Sequence, residues 1–584
     1  MALYTIDEAS GCGAGMNAMP GRAACPAPAA IEKAQWQPAL FAARPRRSEL
    51  AALVPLWPRR QVTVAVHRNA PFEYVAQVMP AFLAYANLAA EFHYGAYDDT
   101  LQFAPIDADL HLVWLNYEPY RARLAPDRLA DWLVTRLAQL RAGSRAPILV
   151  VNAPDAADFN LRLADCIASV PGARICDLGP IRAELGAGFH DRRLRGLGAT
   201  DLSGAACVLI ARQLGLGWLP AALRPRLKCI AVDLDNTLYQ GVLGEDGVHG
   251  VVLTPAHSAL QSRLLALREE GLFLAAISRN EPADVERLFE LRPDFPLRRH
   301  HVSAFAVGWG AKSAGLAQIA QSLRIGLDAI LFVDDNLGEI AEVGTACPTV
   351  SCLHAADPMQ TLSGLTHGPD LMAWNSAAED RLRVTDIAAA ASRAAALVAA
   401  GDPLAYLQSL ETRLEFAVDP RDQAGRIQEL SQKTNQFNLA LRRLGDADIA
   451  RWLDDPDAPI VTVRLSDRLS DSGIVAIVLM RRNDRRLRVE EICISCRALG
   501  RGLEELMVCS SINRVAAALG CDEVAFAYAL GARNAPARDW LAAFTGHPLG
   551  TPDGYCHLGW PPVGLATRLQ SIPVQIDWKE SSPP

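Results

Sequence analysis

Cys229-Ile-Ala-Val-Asp-Leu-Asp-Asn-Thr-Leu238 is the stretch that decides the fold. Its opening apolar residues read as a buried strand, and the strand runs directly into two carboxylates, Asp233 and Asp235. In an open α/β sheet, ligands collect outside the carboxyl ends of the strands, so both acids are predicted to face a crevice.

Two later segments repeat the arrangement. Leu272 to Ile277 ends in Ser278-Arg279-Asn280, and Ile330 to Val333 ends in Asp334-Asp335-Asn336. Helix-like stretches at Ser258 to Glu270 and Ala311 to Leu323 separate the strands, and Lys312 opens the second of them. One carboxylate can attack phosphorus while another, two residues on, protonates the leaving group and then activates water. A negatively charged phosphate repels an attacking carboxylate, so a cation is required, and Mg2+ suits an all-oxygen ligand set. These residues assign Asp233 as nucleophile, Asp235 as acid and base, and Ser278 and Lys312 as phosphoryl binders. Asn236, Thr237, Arg279 and Asn280 are assigned to substrate, and Asp233, Asp235, Asp334 and Asp335 to the metal.

The ordered set of DxDNT, a strand-ending Ser, a downstream Lys and an acidic pair resembles the haloacid-dehalogenase (HAD) superfamily. Asp233 through Gly247, Trp309-Gly-Ala-Lys-Ser313, Lys433-Thr-Asn-Gln-Phe-Asn-Leu439 and Ser495-Cys-Arg-Ala-Leu-Gly-Arg-Gly502 narrow the likeness to the FkbH-like family, HAD subfamily IIIC. The similarity spans roughly Lys228 to Gly550, with Tyr239 and Arg279 standing where the family usually has Trp and Lys. It implies a Rossmann-like HAD domain followed by an α+β domain similar to GNAT acyltransferases. It further implies transfer of a glyceryl unit from 1,3-bisphosphoglycerate to the phosphopantetheine arm of an acyl carrier protein, in polyketide-type biosynthesis. Arg497, Gly500 and Gly502 then form a loop before a helix that could aim backbone amides at a phosphate. Cys496 beside it is the candidate thiol for a transient glyceryl thioester, helped by Arg497 and Arg501. Cys229 is the competing thiol, and its place inside a strand marks it as a core residue.

Outward from this centre, residues 1–60 are rich in Ala, Pro and Gly and read as a leader or linker. Residues 61–222 alternate strands (Val62 to Val66, Leu110 to Leu115, Ile148 to Val151) with helical stretches such as Pro80 to Glu91, predicting a parallel α/β domain. Its placement is similar to SGNH-hydrolase-like domains, yet no Gly-Asp-Ser block follows its first strand, which continues into His67-Arg-Asn69; catalysis is not expected there. Residues 223–375 form the HAD-like unit. Residues 376–565 form a helical connector and a GNAT-like domain with mostly antiparallel strands, and 566–584 a C-terminal tail.

A net charge of −8 provides no global basic field for nucleic acid. No uninterrupted apolar run reaches bilayer length, and with thirteen scattered cysteines and no signal segment, a cytoplasmic enzyme is expected. His300-His301 lacks an apparent third ligand and reads as a solvated loop. Two other readings stay open. One is a small-molecule phosphatase whose last domain only docks a carrier protein; the other is a binder of CoA or carrier protein whose HAD site no longer turns over.

Overall fold

In the computed structural model the apolar run beginning at Cys229 is a strand with no exposed residue, flanked on both sides by parallel partners. The structure describes residues 27–579 other than 99, 104–105, 195–199 and 551. Within 376–400 it describes Arg381, Leu382, Asp386, Ala389, Ser392, Arg393, Ala396 and Leu397. The described chain builds three sheets.

The first contains β1 (Arg60–Arg68), β2 (Leu88–Tyr97), β3 (Leu110–Trp114), β4 (Ile148–Val151) and β5 (Ala173–Cys176), all parallel, in the order β2-β1-β3-β4-β5. The second contains β6 (Cys229–Val232), β7 (Phe273–Ser278), β8 (Ala304–Val307), β9 (Ile330–Asp334) and β10 (Ser351–His354), again all parallel, ordered β10-β9-β6-β7-β8. From β6 the chain winds one way to β7 and β8, then returns past β6 to β9 and β10. The winding therefore reverses between β6 and β9, the place where such sheets hold ligands.

The third sheet is mostly antiparallel, as its alternating sequence predicts. It comprises β11 (Arg413–Val418), β12 (Phe437–Asn438), β13 (Ile460–Ser466), β14 (Asp471–Asn483), β15 (Arg486–Ile494), β16 (Glu523–Ala529), β17 (Asp553–Gly559) and β18 (Gln575–Lys579). Pairing is antiparallel except at β15/β16 and β11/β18.

Several expectations need correction. Residues 27–60 are not a linker: Ala27–Leu40 is a helix, and Trp36, Leu40, Phe41, Leu50 and Trp57 are buried in the core shared by the first two sheets. The composition hid this because the buried aromatics are few and widely spaced. Residues 566–579 are not a tail, since β18 hydrogen-bonds along β11 and Trp578 stacks on Phe416. The helix expected over Pro80 to Glu91 stops at Tyr85, and Leu88–Tyr97 is a half-exposed edge strand. Asn87 breaks the helix with φ 57°, a left-handed conformation that Asn adopts more readily than most residues. The segment Gly204–Leu223 forms a continuous helical stretch that is long and apolar enough to cross a membrane, but 83% of its apolar window is buried inside the protein. It lies against Phe82 so closely that a Cβ on Gly215 would stand 2.9 Å from the Phe82 Cβ.

Inside the first sheet, His67 Nε2 lies 3.0 Å from His111 Nδ1, and His111 Nε2 lies 2.8 Å from Ser144 Oγ. Burial first, and then the neighbouring positive charge, push both imidazoles down to about 4. A histidine held neutral in the fold but titrating near 6.5 when unfolded stabilises fully above that value. The contribution is lost as pH falls through 6.5 towards 4, at about 3 kcal/mol for one such group taken alone. The urea midpoint should therefore drop more steeply between pH 7 and 5 in the wild type than in His67→Gln. Equal slopes would remove the pair from the pH dependence.

Candidate active site

The residues picked out at the strand ends meet where the second sheet reverses its winding. Asp233 is the residue after β6, Asp334 is the last of β9, and Ser278 is the last of β7. Carboxylate oxygens of Asp233, Asp334 and Asp335 all lie within 4.8 Å of one another. Lys312, opening the helix Lys312–Ser322, places Nζ 2.8 Å from Asp233 Oδ1 and 2.5 Å from Asp334 Oδ2. Asp233, Asp334, Ser278 and Lys312 are all buried.

Crowding acids away from water has electrostatic consequences. Burial raises Asp233 to about 7, Asp334 adds to the rise, and Lys312 only partly opposes it. Asp335 is raised for the same reasons, burial first and Asp334 second. For Lys312, burial pulls down while Asp233 and Asp334 pull up, and the carboxylates prevail. One ammonium is thus shared by three carboxylates, and the cluster needs further positive charge to be fully ionised at neutral pH. A divalent cation fits this donor set, which is all oxygen and suits a hard ion such as Mg2+. Asp233, Asp334 and Asp335 would hold it.

Asp235 does not belong to that cluster, which corrects its assignment as a carboxylate ligand. Its Oδ1 accepts hydrogen bonds from the Tyr239 hydroxyl at 2.7 Å and the Leu243 N–H at 2.9 Å, and its Oδ2 accepts from Asn280 Nδ2 at 2.8 Å. Three donors fix the carboxylate beside the nucleophile, suiting it to proton transfer rather than to metal binding. The motif fixed the identity of Asp235 but not its holder: Tyr239, four residues on, stood out only as a departure from the family pattern. Tyr239→Phe is expected to lower kcat about tenfold with little change in KM, because general acid–base groups are worth about 10²–10⁴ and only the positioning is lost. A lowered kcat at unchanged KM marks a positioning role; an unchanged kcat would make the phenol a packing group only.

Asn280 Nδ2 also donates to Ser278 Oγ at 2.9 Å, tying the phosphoryl-binding hydroxyl to the acid. The Thr237 hydroxyl is buried and has no hydrogen-bond partner among the described residues, an orphan that a substrate oxygen would satisfy. Asn236 has a structural task of its own. Its φ is 52° and its Oδ1 accepts the Gly241 N–H at 3.0 Å, so it shapes the turn after Asp235. Arg279 reaches Glu339 at 2.9 Å with about half its side chain exposed, a place at the rim.

The second set of candidates, near β15, is arranged otherwise than expected. Gly500 and Gly502 adopt φ of 76° and 70°, and a Cβ at either would meet nothing within 4 Å, so glycine answers a conformational need. The Gly500 N–H is donated to Glu504 Oε1 at 2.8 Å, and Glu504 and Glu505 occupy the first turn of the helix Glu504–Leu519. Glu504 thus occupies a donor of the loop itself, and carboxylates at a helix start repel a phosphate. Arg501 lies 3.1 Å from Asp467 and 3.3 Å from Asp386, and Arg393 bridges the same two acids, closing a buried four-membered ion network. That engagement corrects the view of Arg501 as a cation held for the Cys496 thiol. Arg497 is buried, with Nη2 pointing to the Ile474 carbonyl at 3.4 Å. Cys496 itself is half-buried. Cys229 is buried and its thiol is pushed far up by burial, unsuited to acyl transfer.

No protein-family model matches the chain, and no curated protein matches it. Among solved structures it is similar to the N-terminal part of protein BF1531 from Bacteroides fragilis, which contains a phosphatase domain and is complexed with Mg. That likeness has 21% identity over 54% of this chain and 95% of the other, at a TM-score of 0.44. A protein from Mesorhizobium loti described as a HAD-like phosphatase has 16% identity over 25% of this chain and 90% of its own, at a TM-score of 0.19. One from Legionella pneumophila, described as a HAD superfamily subfamily III A hydrolase, has 14% identity over 28% of this chain and 89% of its own, at a TM-score of 0.18.

Proposed function

We propose that the chain is a Mg2+-dependent phosphohydrolase or phosphotransferase of HAD type that works through an aspartyl-phosphate on Asp233. The observation that carries this reading is the meeting of Asp233, Asp334, Asp335, Lys312 and Ser278 at one strand-end crevice. When bound, the metal supplies the positive charge that lets a carboxylate approach a phosphate ester. A carboxylate oxygen of Asp233 attacks phosphorus as the bond to the leaving oxygen breaks, and Asp235 gives that oxygen its proton. Asp235 then takes a proton from water, whose oxygen attacks the phosphorus of the aspartyl-phosphate. Asp233 leaves as carboxylate and inorganic phosphate is released. Throughout, Lys312 and Ser278 hold phosphoryl oxygens whose charge shifts during the displacement.

The finer reading is that of the FkbH-like family. A glyceryl unit is taken from 1,3-bisphosphoglycerate and delivered to an acyl carrier protein, with the phosphate removed at Asp233 and the GNAT-like domain, through Cys496, carrying the acyl group. The motifs between Lys433 and Gly502 support it. A cytoplasmic setting agrees with the cysteines, every one of which is a free thiol among the described residues. The engaged state of Gly500 and Arg501 favours a second reading, a HAD phosphatase whose last domain only docks the carrier. Incubation with 1,3-bisphosphoglycerate, Mg2+ and a phosphopantetheinylated carrier protein separates them. A glyceryl mass increment on the carrier, lost with EDTA, supports transfer. Phosphate release with an unmodified carrier and unmodified enzyme supports the second reading, and no phosphate release with or without Mg2+ sinks both.

A further inference from the structure

Of the chain's 11 tryptophans, Trp309 alone is exposed, at 70%. The others are buried or half-buried, and each meets another ring or a cation. Trp309 has no such partner among the described residues. A large ring left in water gives up the burial that its counterparts gain, and an open indole face is a surface on which a ligand can stack.

The ring is nevertheless held in one place, at the mouth of the Asp233 crevice. Val307, the last residue of β8, pairs with Ser278, the last of β7, and the Gly308 N–H donates to the Ser278 carbonyl at 3.0 Å. Trp309 comes next, three residues before Lys312, whose Nζ joins Asp233 and Asp334. Its Nε1–H donates to Glu281 Oε1 at 2.8 Å, and Glu281 is three residues beyond Ser278. The indole therefore lies across from the loop after β8 to the loop after β7, towards the crevice. Adjacent strands are about 4.8 Å apart, so a phosphorus held over Asp233, at the end of β6, is about one strand spacing further on. In-line attack by Asp233 sends the leaving oxygen away from the carboxylate and out through this mouth.

We propose that Trp309 is a specificity residue, which takes a flat, apolar ring on the leaving group of the phosphate ester cleaved at Asp233. The proposal rests on the phosphohydrolase reading and narrows it to a substrate class, the monoesters of phenols and other ring-bearing alcohols. A ring next to the ester oxygen reaches the indole face, whereas a methyl group does not. Contact away from the reacting bond acts alike on bound substrate and transition state, so its effect belongs to KM. The bond to Glu281 sets the indole in advance, which spares part of the ordering cost of binding.

The test is steady-state kinetics of the full-length enzyme with Mg2+ on 2-naphthyl phosphate and methyl phosphate, in wild type, Trp309→Phe and Trp309→Ala. The quantity read is the ratio of kcat/KM for the naphthyl ester to that for the methyl ester. It is expected to fall about tenfold in Trp309→Ala, through KM for the naphthyl ester, and to stay within about threefold of wild type in Trp309→Phe, which keeps a ring face. An unchanged ratio in Trp309→Ala, whether both rates hold or both fall together, overturns the proposal and leaves the Asp233 reading standing. That is also the result if the ring serves only to dock a protein partner. Wild-type enzyme that releases phosphate from neither ester overturns the Asp233 reading and this proposal with it.

Discussion

Asp233→Asn is expected to lower kcat for phosphate-ester hydrolysis by about 10⁴-fold or more, with the protein still folded. Removing a nucleophile that acts in concert with an acid and an oxyanion clamp costs about what removing the whole set costs, and losses of 10⁴ to 10⁶ are usual. Asparagine keeps the shape of the buried side chain and can still accept from Lys312. It cannot form an acyl phosphate by direct attack. Acid-quenched wild-type enzyme should carry a phosphoryl group in intact-mass spectra, and the variant should not. A variant retaining more than about a hundredth of wild-type kcat would move the nucleophile elsewhere. The same geometry makes metal affinity pH-dependent. Burial raises Asp233 to about 7, so the metal must displace a proton in acid and binds more tightly at pH 8 than at pH 6.

Lys312→Ala should be the most destabilising change at this site. Its Nζ joins Asp233 and Asp334, and both acids are buried, Asp334 completely. Deleting one partner of a buried ion pair strands an uncompensated charge at about 3–5 kcal/mol, more than the pair itself contributes. Urea unfolding of metal-free protein should show a loss of that order, with saturating Mg2+ recovering part of it, because a cation replaces the missing ammonium charge. Turnover should stay low even with Mg2+, since Lys312 also clamps phosphoryl oxygens. An unchanged midpoint in metal-free protein would mean that the carboxylates are protonated or hydrated and that Lys312 holds nothing together.

What could be read from the residues divides along physical lines. The site was legible because its chemistry sits at fixed offsets from fully apolar strands: Cys229–Val232 before Asp233, and Ile330–Val333 before Asp334. Such strands announce themselves in any context. Edge strands do not: Leu88–Tyr97 is half exposed, begins Leu-Ala-Ala-Glu and carries helix-forming residues, so local preference pointed the wrong way until Asn87 turned the chain. β18 owes its structure to pairing with β11, a partner more than 150 residues away, and no local pattern encodes that. The place of Asp235 outside the carboxylate cluster was hidden for a related reason. Its spacing gave the residue, while the donors that claim its oxygens come from Leu243 and Asn280, placed by the fold.

The helix Ala27–Leu40 and the long apolar helix Gly204–Leu223 place one uninterrupted mass of side chains, from Trp36 through Val64 to Leu234 and Val333, behind both parallel sheets. The catalytic unit is therefore not a module that evolution can shuffle at residue 223. Transplanting it alone would tear open its oily back. The two α/β halves have to be inherited together, whereas the third sheet, with a separate core of its own, could have been acquired or exchanged independently.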